Sequence, residues 1–343
     1  MLAARLHAYE APLSLDDVPV PDPGPGQVLV RVEGAGFCHS DLHVIDGEVR
    51  ILPRLPLTLG HENAGVVAAV GAGVRGVAEG DAVVVYGAWG CGRCDYCVGG
   101  HEQLCVAPEW AGLSQRDGGY AEFLLVPSER HLVRLDRLTP REAAPLTDAA
   151  LTPYRAVRRA LPAITPDHPV LLIGVGGLGQ YALALLRLLA GAQVIAVDLS
   201  EEKRAIAARM GATHVLDGGQ DDLLERVLDL TDGHGVSAAF DVVGADATLD
   251  LAVRSTRPLG RIVQLGLAGG TARLKALDSA RFEARFEVSL WGSIKELREV
   301  IALAEQGRLP LIPSEFVPLS RIQEAYDRVK GGRAAGRVVV TPG

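Results

Sequence analysis

Four of the five cysteines lie in one short segment of the chain. Cys91, Cys94, Cys97 and Cys105 have the spacing C-x2-C-x2-C-x7-C. Four thiolates at these separations can surround one tetrahedral Zn²⁺, and because they fill every position the site would be structural. An iron–sulfur cluster is also held by four cysteines, and free loop thiols are the simplest alternative. The segment is predicted to bind a metal, with zinc favoured.

The fifth cysteine belongs to a second group of possible metal ligands. Cys38 lies in Gly-Phe-Cys-His-Ser-Asp-Leu-His at 36–43, and His61 lies in Gly-His-Glu at 60–62. A catalytic zinc takes three protein ligands and keeps one position open, and Cys38 and His61 would supply two of them. A lone cysteine or histidine is otherwise an ordinary core or surface residue. The pairing of two such segments favours a catalytic metal.

A glycine-rich segment has the residues of a dinucleotide site. It follows the apolar run 170–173, precedes an apolar helical stretch at about 178–190, and contains Gly174, Gly176, Gly177 and Gly179 in the pattern G-x-G-x-x-G. The glycines allow a tight turn, close approach of the backbone to a pyrophosphate and close helix–strand packing. Asp198 ends the next strand, where its carboxylate can bind ribose hydroxyls and would repel a 2′-phosphate. NAD is therefore predicted over NADP; the alternative is a plain glycine turn with Asp198 capping a helix.

The elements that must position these residues fall into two kinds. Before residue 150 the pattern is of short strands between glycines, at 28–33, 65–70, 81–86 and 119–126. After it, strands at 170–173, 193–198, 238–243 and 260–265 alternate with helices such as 201–210, which predicts a doubly wound parallel sheet. Helices are expected at 292–307 and 322–329, and a closing strand at 336–340.

Composition limits the possible partners. At 343 residues the chain is long enough for two domains. A net charge of -8 without a basic run argues against nucleic-acid binding. No apolar stretch approaches the roughly 20 residues of a membrane span, and the N-terminus lacks a secretory pattern. We expect a cytoplasmic protein whose cysteines stay reduced.

These motifs, in this order, resemble the zinc-dependent alcohol dehydrogenases of the medium-chain dehydrogenase/reductase family over nearly the whole chain. The resemblance implies an α/β protein with two domains. A β-rich GroES-like catalytic domain would comprise 1–149 and 290–343, with a structural-zinc lobe at about 88–106. An NAD-binding Rossmann domain would comprise 150–289.

The resemblance also implies a third ligand for the catalytic zinc. Asp148 stands where many members have a cysteine, in a segment similar to that of bacterial NAD-dependent secondary alcohol dehydrogenases. With the Cys38 thiolate it would still supply two negative charges. Glu62 is the rival ligand, and a helix-capping role is the other interpretation of Asp148.

Further roles follow from the same resemblance. Ser40 would accept the substrate proton, and His43 would relay it to solvent. Trp89 and Trp291 would lie near the substrate pocket. Arg337 would reach the pyrophosphate or remain solvated. The other expected cofactor contacts are His39, Thr152, Leu178, Lys203 and Val243.

The predicted function is reversible hydride transfer between NAD and an alcohol, with two Zn²⁺ per chain. A small or medium, apolar, secondary alcohol and its ketone are favoured, and bacterial relatives suggest a homotetramer. A polyol or threonine dehydrogenase, or a metal-free quinone reductase, would share the fold. A catalytically inactive nucleotide-binding zinc protein is the alternative from another class.

Overall fold

The computed structural model describes residues 1–48, 54–274 and 282–342. The chain divides into two compact units. Unit 1 contains Met1–Leu151 and Gly292–Gly343, and unit 2 contains Thr152–Trp291. The boundaries expected from the sequence differ from these by two residues.

The first part of unit 1 is mostly β-structure. Its strands are β1 Leu2–Leu6, β2 Ser14–Asp17, β3 Val28–Phe37, β4 Leu57–Thr58, β5 Glu62–Val70, β6 Ala82–Val85, β7 Ala88–Trp89, β8 Glu109–Trp110, β9 Phe123–Val126 and β10 Leu132–Arg134. Its helices are short: α1 His39–Ile45, α2 Asp95–Val98 and α3 Pro140–Ala143.

Unit 2 alternates strands and helices. The helices are α4 Leu151–Ala160, which begins at the unit boundary, α5 Gly177–Leu185, α6 Glu201–Arg209, α7 Leu223–Asp229 and α8 Asp246–Ser255. The strands are β11 Val170–Ile173, β12 Val194–Asp198, β13 His214–Asp217, β14 Val236–Asp241, β15 Thr256–Gln264 and β16 Arg285–Val288. The chain then returns to unit 1 with α9 Ile294–Glu305, β17 Ser314–Pro318, α10 Ile322–Lys330 and β18 Arg337–Thr341.

The main sheet of unit 1 brings distant segments to one edge. Its order is β10-β6-β5-β3-β18-β17, with β9 also paired to β3. The antiparallel register places Gly36 opposite Glu62 and Phe37 opposite Val338. The end of β3 and the starts of β5 and β18 therefore meet, and the residues just outside them become neighbours.

Unit 2 contains the predicted parallel sheet. All its pairs are parallel, in the order β13-β12-β11-β14-β15-β16. This is the order of a doubly wound dinucleotide-binding fold, whose ligand lies beyond the carboxyl ends of the strands where the winding reverses. Here the reversal falls between β11 and β14. Leu171, Ile195 and Ala239 are buried in the core on this sheet.

Some elements differ from the sequence-based prediction. The strand predicted at 119–126 begins only at Phe123, because the backbone of Gly119 and Tyr120 bonds instead to Gly60 and Leu59. The helix predicted to about residue 190 ends at Leu185, and a π-helical turn continues to Ala190. β13 was not predicted; as an edge strand it is only half-buried and lacks a run of apolar residues. Among the described residues no helix has the length and apolarity to cross a membrane.

Candidate active site

Three of the predicted ligands meet in a buried cluster in unit 1. Cys38 follows β3 directly and His61 precedes β5, so the register of these strands makes them neighbours. Asp148 follows a 3-10 turn, Ala144–Thr147, that packs on β3 and β5. Its Oδ2 lies 3.8 Å from Cys38 Sγ and 3.6 Å from His61 Nε2. With Glu62, the ligand atoms all lie within 4.8 Å of one another.

The donor set suits a divalent cation. Thiolate, imidazole and carboxylate are the ligands that zinc takes in catalytic sites. The four residues are buried, and anionic groups in such surroundings are stabilised by a nearby positive charge. Asp148 points into this cluster, and α4 begins three residues later, at Leu151.

His61 is held by a carboxylate on its far side. Asp41, fully buried in the first turn of α1, lies with Oδ1 3.3 Å from His61 Nδ1. Its Oδ2 accepts a hydrogen bond from the backbone N–H of Cys38 at 2.9 Å. Such a partner on Nδ1 leaves Nε2 as the ligand atom. Burial opposes charge on the His61 ring, yet Asp41 and Asp148 raise its pKa well above its ordinary value. A proton therefore competes with a metal for Nε2.

Glu62 forms a buried ion pair with Arg337, which precedes Val338 in β18. Arg337 is only 5% exposed, so the interpretation of it as a solvated arginine is wrong. Its guanidinium stays charged, since arginine does not lose its proton in proteins. Burial raises the pKa of Glu62 to about 7, against the opposing effect of that guanidinium. Contact of Arg337 with a pyrophosphate stays a prediction.

The residues expected to move protons lie on α1. Ser40 Oγ is 3.8 Å from Cys38 Sγ. His43, three residues later, lies on the same face of the helix, and its Nδ1 is 2.6 Å from Oε2 of the exposed Glu48. His39, at the start of this helix, is exposed.

The four remaining cysteines form the second cluster, with their sulfur atoms all within 4.8 Å of one another. Cys94 Sγ lies 3.5 Å from Cys97 Sγ and 3.9 Å from Cys105 Sγ. The backbone N–H groups of Cys97 and Val106 lower the pKa of Cys94 to about 6, which favours the thiolate. Cys105 Sγ also accepts from the N–H of Cys91 at 3.3 Å. Four converging sulfurs with backbone donors fit a closed tetrahedral site.

In unit 2 the glycine loop connects β11 to α5. Gly174 has φ +91, which favours glycine, and a Cβ on it would lie 2.8 Å from Val243 Cγ2. A Cβ on Gly179 would overlap the carbonyl oxygen of Gly174, whereas one on Gly176 would meet nothing within 4 Å. The second glycine is thus open on the side where a pyrophosphate would approach. Gly177 and Leu178 begin α5.

Asp198 ends β12 beside this loop. Its Oδ2 accepts from the N–H of Val175 at 2.8 Å, and its Oδ1 from the N–H of Ser200 at 2.9 Å. The interpretation of Asp198 as the helix cap is wrong, because Ser200 caps α6 and accepts from the N–H of Lys203. Each carboxylate oxygen retains capacity for a further donor, as ribose binding would require.

The remaining predicted contacts are distributed over both units. Thr152 is buried in α4 of unit 2. Trp89 lies in unit 1 and Trp291 in unit 2, and both are buried. Their place beside a substrate stays a prediction.

Sequence reasoning missed the residues that support the ligands. Asp41 is inside the quoted segment 36–43, but nothing in its spacing from His61 indicates a contact. The Glu62–Arg337 pair joins residues 275 positions apart. The only signal in the sequence was an acidic residue, Glu62, directly after the candidate ligand His61.

Comparisons with known proteins agree with this geometry. Residues 24–137 match the family model described as an alcohol dehydrogenase GroES-like domain, and residues 177–306 match that described as a zinc-binding dehydrogenase. These matches confirm the predicted fold class of a GroES-like domain with a Rossmann-type domain.

Individual relatives are similar over their full length. An NAD-dependent alcohol dehydrogenase of Sulfurisphaera tokodaii is 37% identical over 100% of both chains. A D-arabinose 1-dehydrogenase (NADP(+)) of Saccharolobus solfataricus is 38% identical, covering 99% of this chain and 97% of its own. The crystal structure of the alcohol dehydrogenase of Aeropyrum pernix has a TM-score of 0.93 at 39% identity, over 100% of both chains. These similarities span the segments of the chain that contain both cysteine-bearing clusters and the glycine loop.

Proposed function

Because the chain belongs to the zinc-containing medium-chain alcohol dehydrogenase family, we propose that it catalyses reversible hydride transfer between an alcohol and NAD, giving a ketone or aldehyde. The observation that carries this proposal is the buried meeting of Cys38, His61 and Asp148 ligand atoms. A metal-free quinone reductase would not be expected to contain such a cluster of ligand atoms. A catalytically inactive nucleotide-binding protein would not require a hydroxyl such as that of Ser40 beside the cluster.

Cys38, His61 and Asp148 would hold the catalytic zinc, and Cys91, Cys94, Cys97 and Cys105 a structural one. When bound at the first site, zinc supplies a Lewis acid that lowers the pKa of a bound hydroxyl and polarises a carbonyl. NAD supplies the hydride acceptor. The chain's own contribution is to orient these groups and to remove the proton.

Ser40 and His43 would carry that proton. Ser40 Oγ, near Cys38, would accept the proton of the substrate hydroxyl and pass it on. His43 follows on the same face of α1, and Glu48 orients its ring through Nδ1. The other nitrogen would then receive a proton and release it to water.

Asp198 would select NAD over NADP. Its carboxylate would bind the ribose hydroxyls and repel a 2′-phosphate. Asp198→Gly is expected to reduce the ratio of kcat/KM for NAD over NADP by about ten-fold or more, since a ten-fold change corresponds to about 1.4 kcal/mol and repulsion of a like charge costs at least as much. The ratio measured with one alcohol tests this, and an unchanged ratio would remove Asp198 from the role.

We propose a small or medium, apolar, secondary alcohol as the substrate, on the similarity of the Asp148 segment to secondary alcohol dehydrogenases. A sugar or polyol is the second candidate, because a relative 38% identical is named D-arabinose 1-dehydrogenase (NADP(+)). NADH formation should be followed at matched concentrations of 2-propanol, cyclohexanol, ethanol, benzyl alcohol, sorbitol, threonine and D-arabinose. We expect the highest kcat/KM with 2-propanol or cyclohexanol. A higher value with D-arabinose or sorbitol would support the second candidate.

We also propose that the chain assembles as a homotetramer. In the described part of unit 2, β16 is an edge strand, and Val288 on it is 57% exposed. Leu259 and Phe282, joined by a backbone hydrogen bond in the same unit, are also exposed. An unpaired strand edge with apolar neighbours can pair with another copy of the chain. The step from a pair to a tetramer depends on the family resemblance.

A further inference from the structure

Tyr120 is a buried tyrosine that none of the roles above uses. It is fully buried in unit 1, and its ring stacks on Phe37 with a centroid distance of 5.4 Å. Its hydroxyl lies 2.8 Å from Asp41 Oδ2 and 3.1 Å from the carbonyl oxygen of Gly36. A phenol would not be needed for packing alone, since phenylalanine has the same ring.

The Tyr120 hydroxyl donates its hydrogen bond to Asp41 rather than to Gly36. A hydroxyl donates one hydrogen bond, and a carboxylate is a stronger acceptor than a neutral carbonyl. Burial and the nearby Asp41 charge raise the pKa of Tyr120 well above its ordinary value, so the phenol remains a donor across the working pH range. The bond to Asp41 is therefore a charge-assisted one in surroundings closed to water.

Asp41 needs these donors to keep its orientation. Its Oδ2 accepts from Tyr120 Oη and from the backbone N–H of Cys38, while its Oδ1 faces His61 Nδ1. The two donors on Oδ2 hold the carboxylate so that the other oxygen is directed at the imidazole. Loss of one donor would leave part of a buried charge without a partner, which costs more than loss of a neutral hydrogen bond.

Tyr120 also supports the backbone that leads into His61. Its N–H donates to the carbonyl of Leu59 at 2.9 Å, and the N–H of Gly119 donates to that of Gly60 at 2.9 Å. Gly60 has φ +97, and a Cβ on it would lie 2.7 Å from the Tyr120 ring. One residue thus contacts both the main chain before His61 and the carboxylate behind its ring.

We propose that Tyr120 is a positioning residue for the catalytic metal site: through Asp41, its hydroxyl fixes the direction in which His61 presents Nε2 to the metal. This rests on the proposed function only in taking His61 as a zinc ligand. Groups that orient a ligating histidine typically change metal affinity by about 10–100-fold.

Tyr120→Phe tests the hydroxyl while keeping the ring, the stacking on Phe37 and the contact with Gly60. The zinc-loaded protein is challenged with a chromogenic chelator, and the release of each zinc is followed. We expect the catalytic zinc to be lost about 10-fold faster or more, while the four-cysteine zinc is released as in the unaltered protein. With Co²⁺ in the catalytic site, the variant should show a shifted visible spectrum.

Tyr86→Phe is the matched control. Tyr86 is another fully buried tyrosine of unit 1, and its hydroxyl donates to the carbonyl of Gly292 at 2.7 Å, away from Asp41. This variant should leave both release rates unchanged. Asp41→Asn should resemble Tyr120→Phe, and the double variant should be less impaired than the sum of the two, because the hydroxyl acts through the carboxylate.

Unchanged zinc release and an unchanged cobalt spectrum in Tyr120→Phe would overturn the proposal. Faster release of both zinc ions together, with a lowered melting temperature, would also overturn it, because the hydroxyl would then support the fold in general. Chelation does not require turnover. A protein that holds two zinc ions but oxidises no alcohol would refute the proposed function. The role of Tyr120 would still be decided by the zinc-release rates.

Discussion

Buried ionisable groups at the candidate metal site set its charge requirement. Glu62 and Arg337 neutralise each other when Glu62 is ionised. As metal ligands, the Cys38 thiolate and the Asp148 carboxylate would then supply two negative charges at one cluster. A bound dication would balance these two charges in surroundings that do not solvate them. The chemistry of single residues therefore supports a divalent metal here.

Asp148 should decide whether that metal is retained. Asp148→Ala removes one of three protein ligands, so bound zinc should fall from about two to about one per chain. Asp148→Cys is the control, because it restores a ligand of the kind that many family members have. Metal analysis of the purified variants measures the difference. Two zinc ions in Asp148→Ala would show that Glu62 or another group is the third ligand.

His131 should make stability depend on pH. It is buried beside Tyr86 and Trp89, and burial together with the Arg130 charge lowers its pKa to about 3. The ring is therefore neutral at its 3.7 Å distance from Glu102, and the contact is not an ion pair. In the unfolded chain the ring takes up a proton below about pH 6.5. Its contribution is present above that pH and is lost toward pH 3, by at most about 1.4 kcal/mol per pH unit.

His131→Phe keeps an aromatic ring and removes the titration. Its free energy of unfolding should fall less steeply than that of the unaltered protein between about pH 7 and about pH 5. Urea unfolding at a series of pH values measures both slopes. Other groups titrate in both proteins, so only the difference between the slopes counts. Parallel curves would mean that His131 takes up its proton over the same pH range in the folded and the unfolded chain.

At the scale of elements, strand ends position the chemistry. Cys38, His61 and Arg337 each lie at an end of β3, β5 or β18, and antiparallel pairing brings these ends together. The glycine loop is likewise the connection between β11 and α5. The strands thus hold short segments whose buried side chains meet at the strand ends.

The two glycines of that loop should separate packing from binding. Gly179→Ala would overlap the Gly174 carbonyl, so β11 and α5 must move apart and stability should fall by about 1–3 kcal/mol. Gly176 has φ -75, and a Cβ on it would meet nothing within 4 Å, so Gly176→Ala should fold normally. The variant should bind NAD more weakly, because its methyl group would meet the pyrophosphate. Melting temperature and NAD titration measure the two effects. A destabilised Gly176→Ala or an unaffected NAD affinity would contradict this interpretation.

At the scale of the whole molecule, each unit has its own core and its own chemistry. Unit 1 contains both cysteine-bearing clusters, and unit 2 contains the glycine loop and Asp198. The parallel sheet of unit 2 leaves β16 at its edge. That edge is where we expect association with other copies of the chain.

Val288→Lys should weaken the assembly. It places a charge on the exposed edge strand, where pairing with a second copy would bury it. Light scattering after size-exclusion chromatography should show a smaller species than the tetramer proposed for the unaltered chain. Val20→Lys is the control, since Val20 is 49% exposed and lies outside any strand. An unchanged mass for Val288→Lys would exclude this edge as an interface.

Much of the fold was predictable because local sequence patterns indicate where its strands and helices lie. The strand 170–173 was predicted at its observed bounds, since four buried residues precede a glycine turn. The half-buried β13 was not, because its sequence lacks a run of apolar residues. The start of β9 was misplaced because the backbone before it bonds to the segment that precedes His61. Tertiary partners, rather than local preference, decided that boundary.

The amino-acid sequence alone determined which chemistry was possible. The spacing of four cysteines, the glycine turn and the acid after the second strand are short-range features, which can be recognised without knowing the tertiary structure. The tertiary structure decided which distant groups cooperate. Asp148 reaches Cys38 across 110 positions, and Tyr120 reaches Asp41 across 79. The physical reason is that strand order and register set such meetings, and no spacing along the chain encodes them.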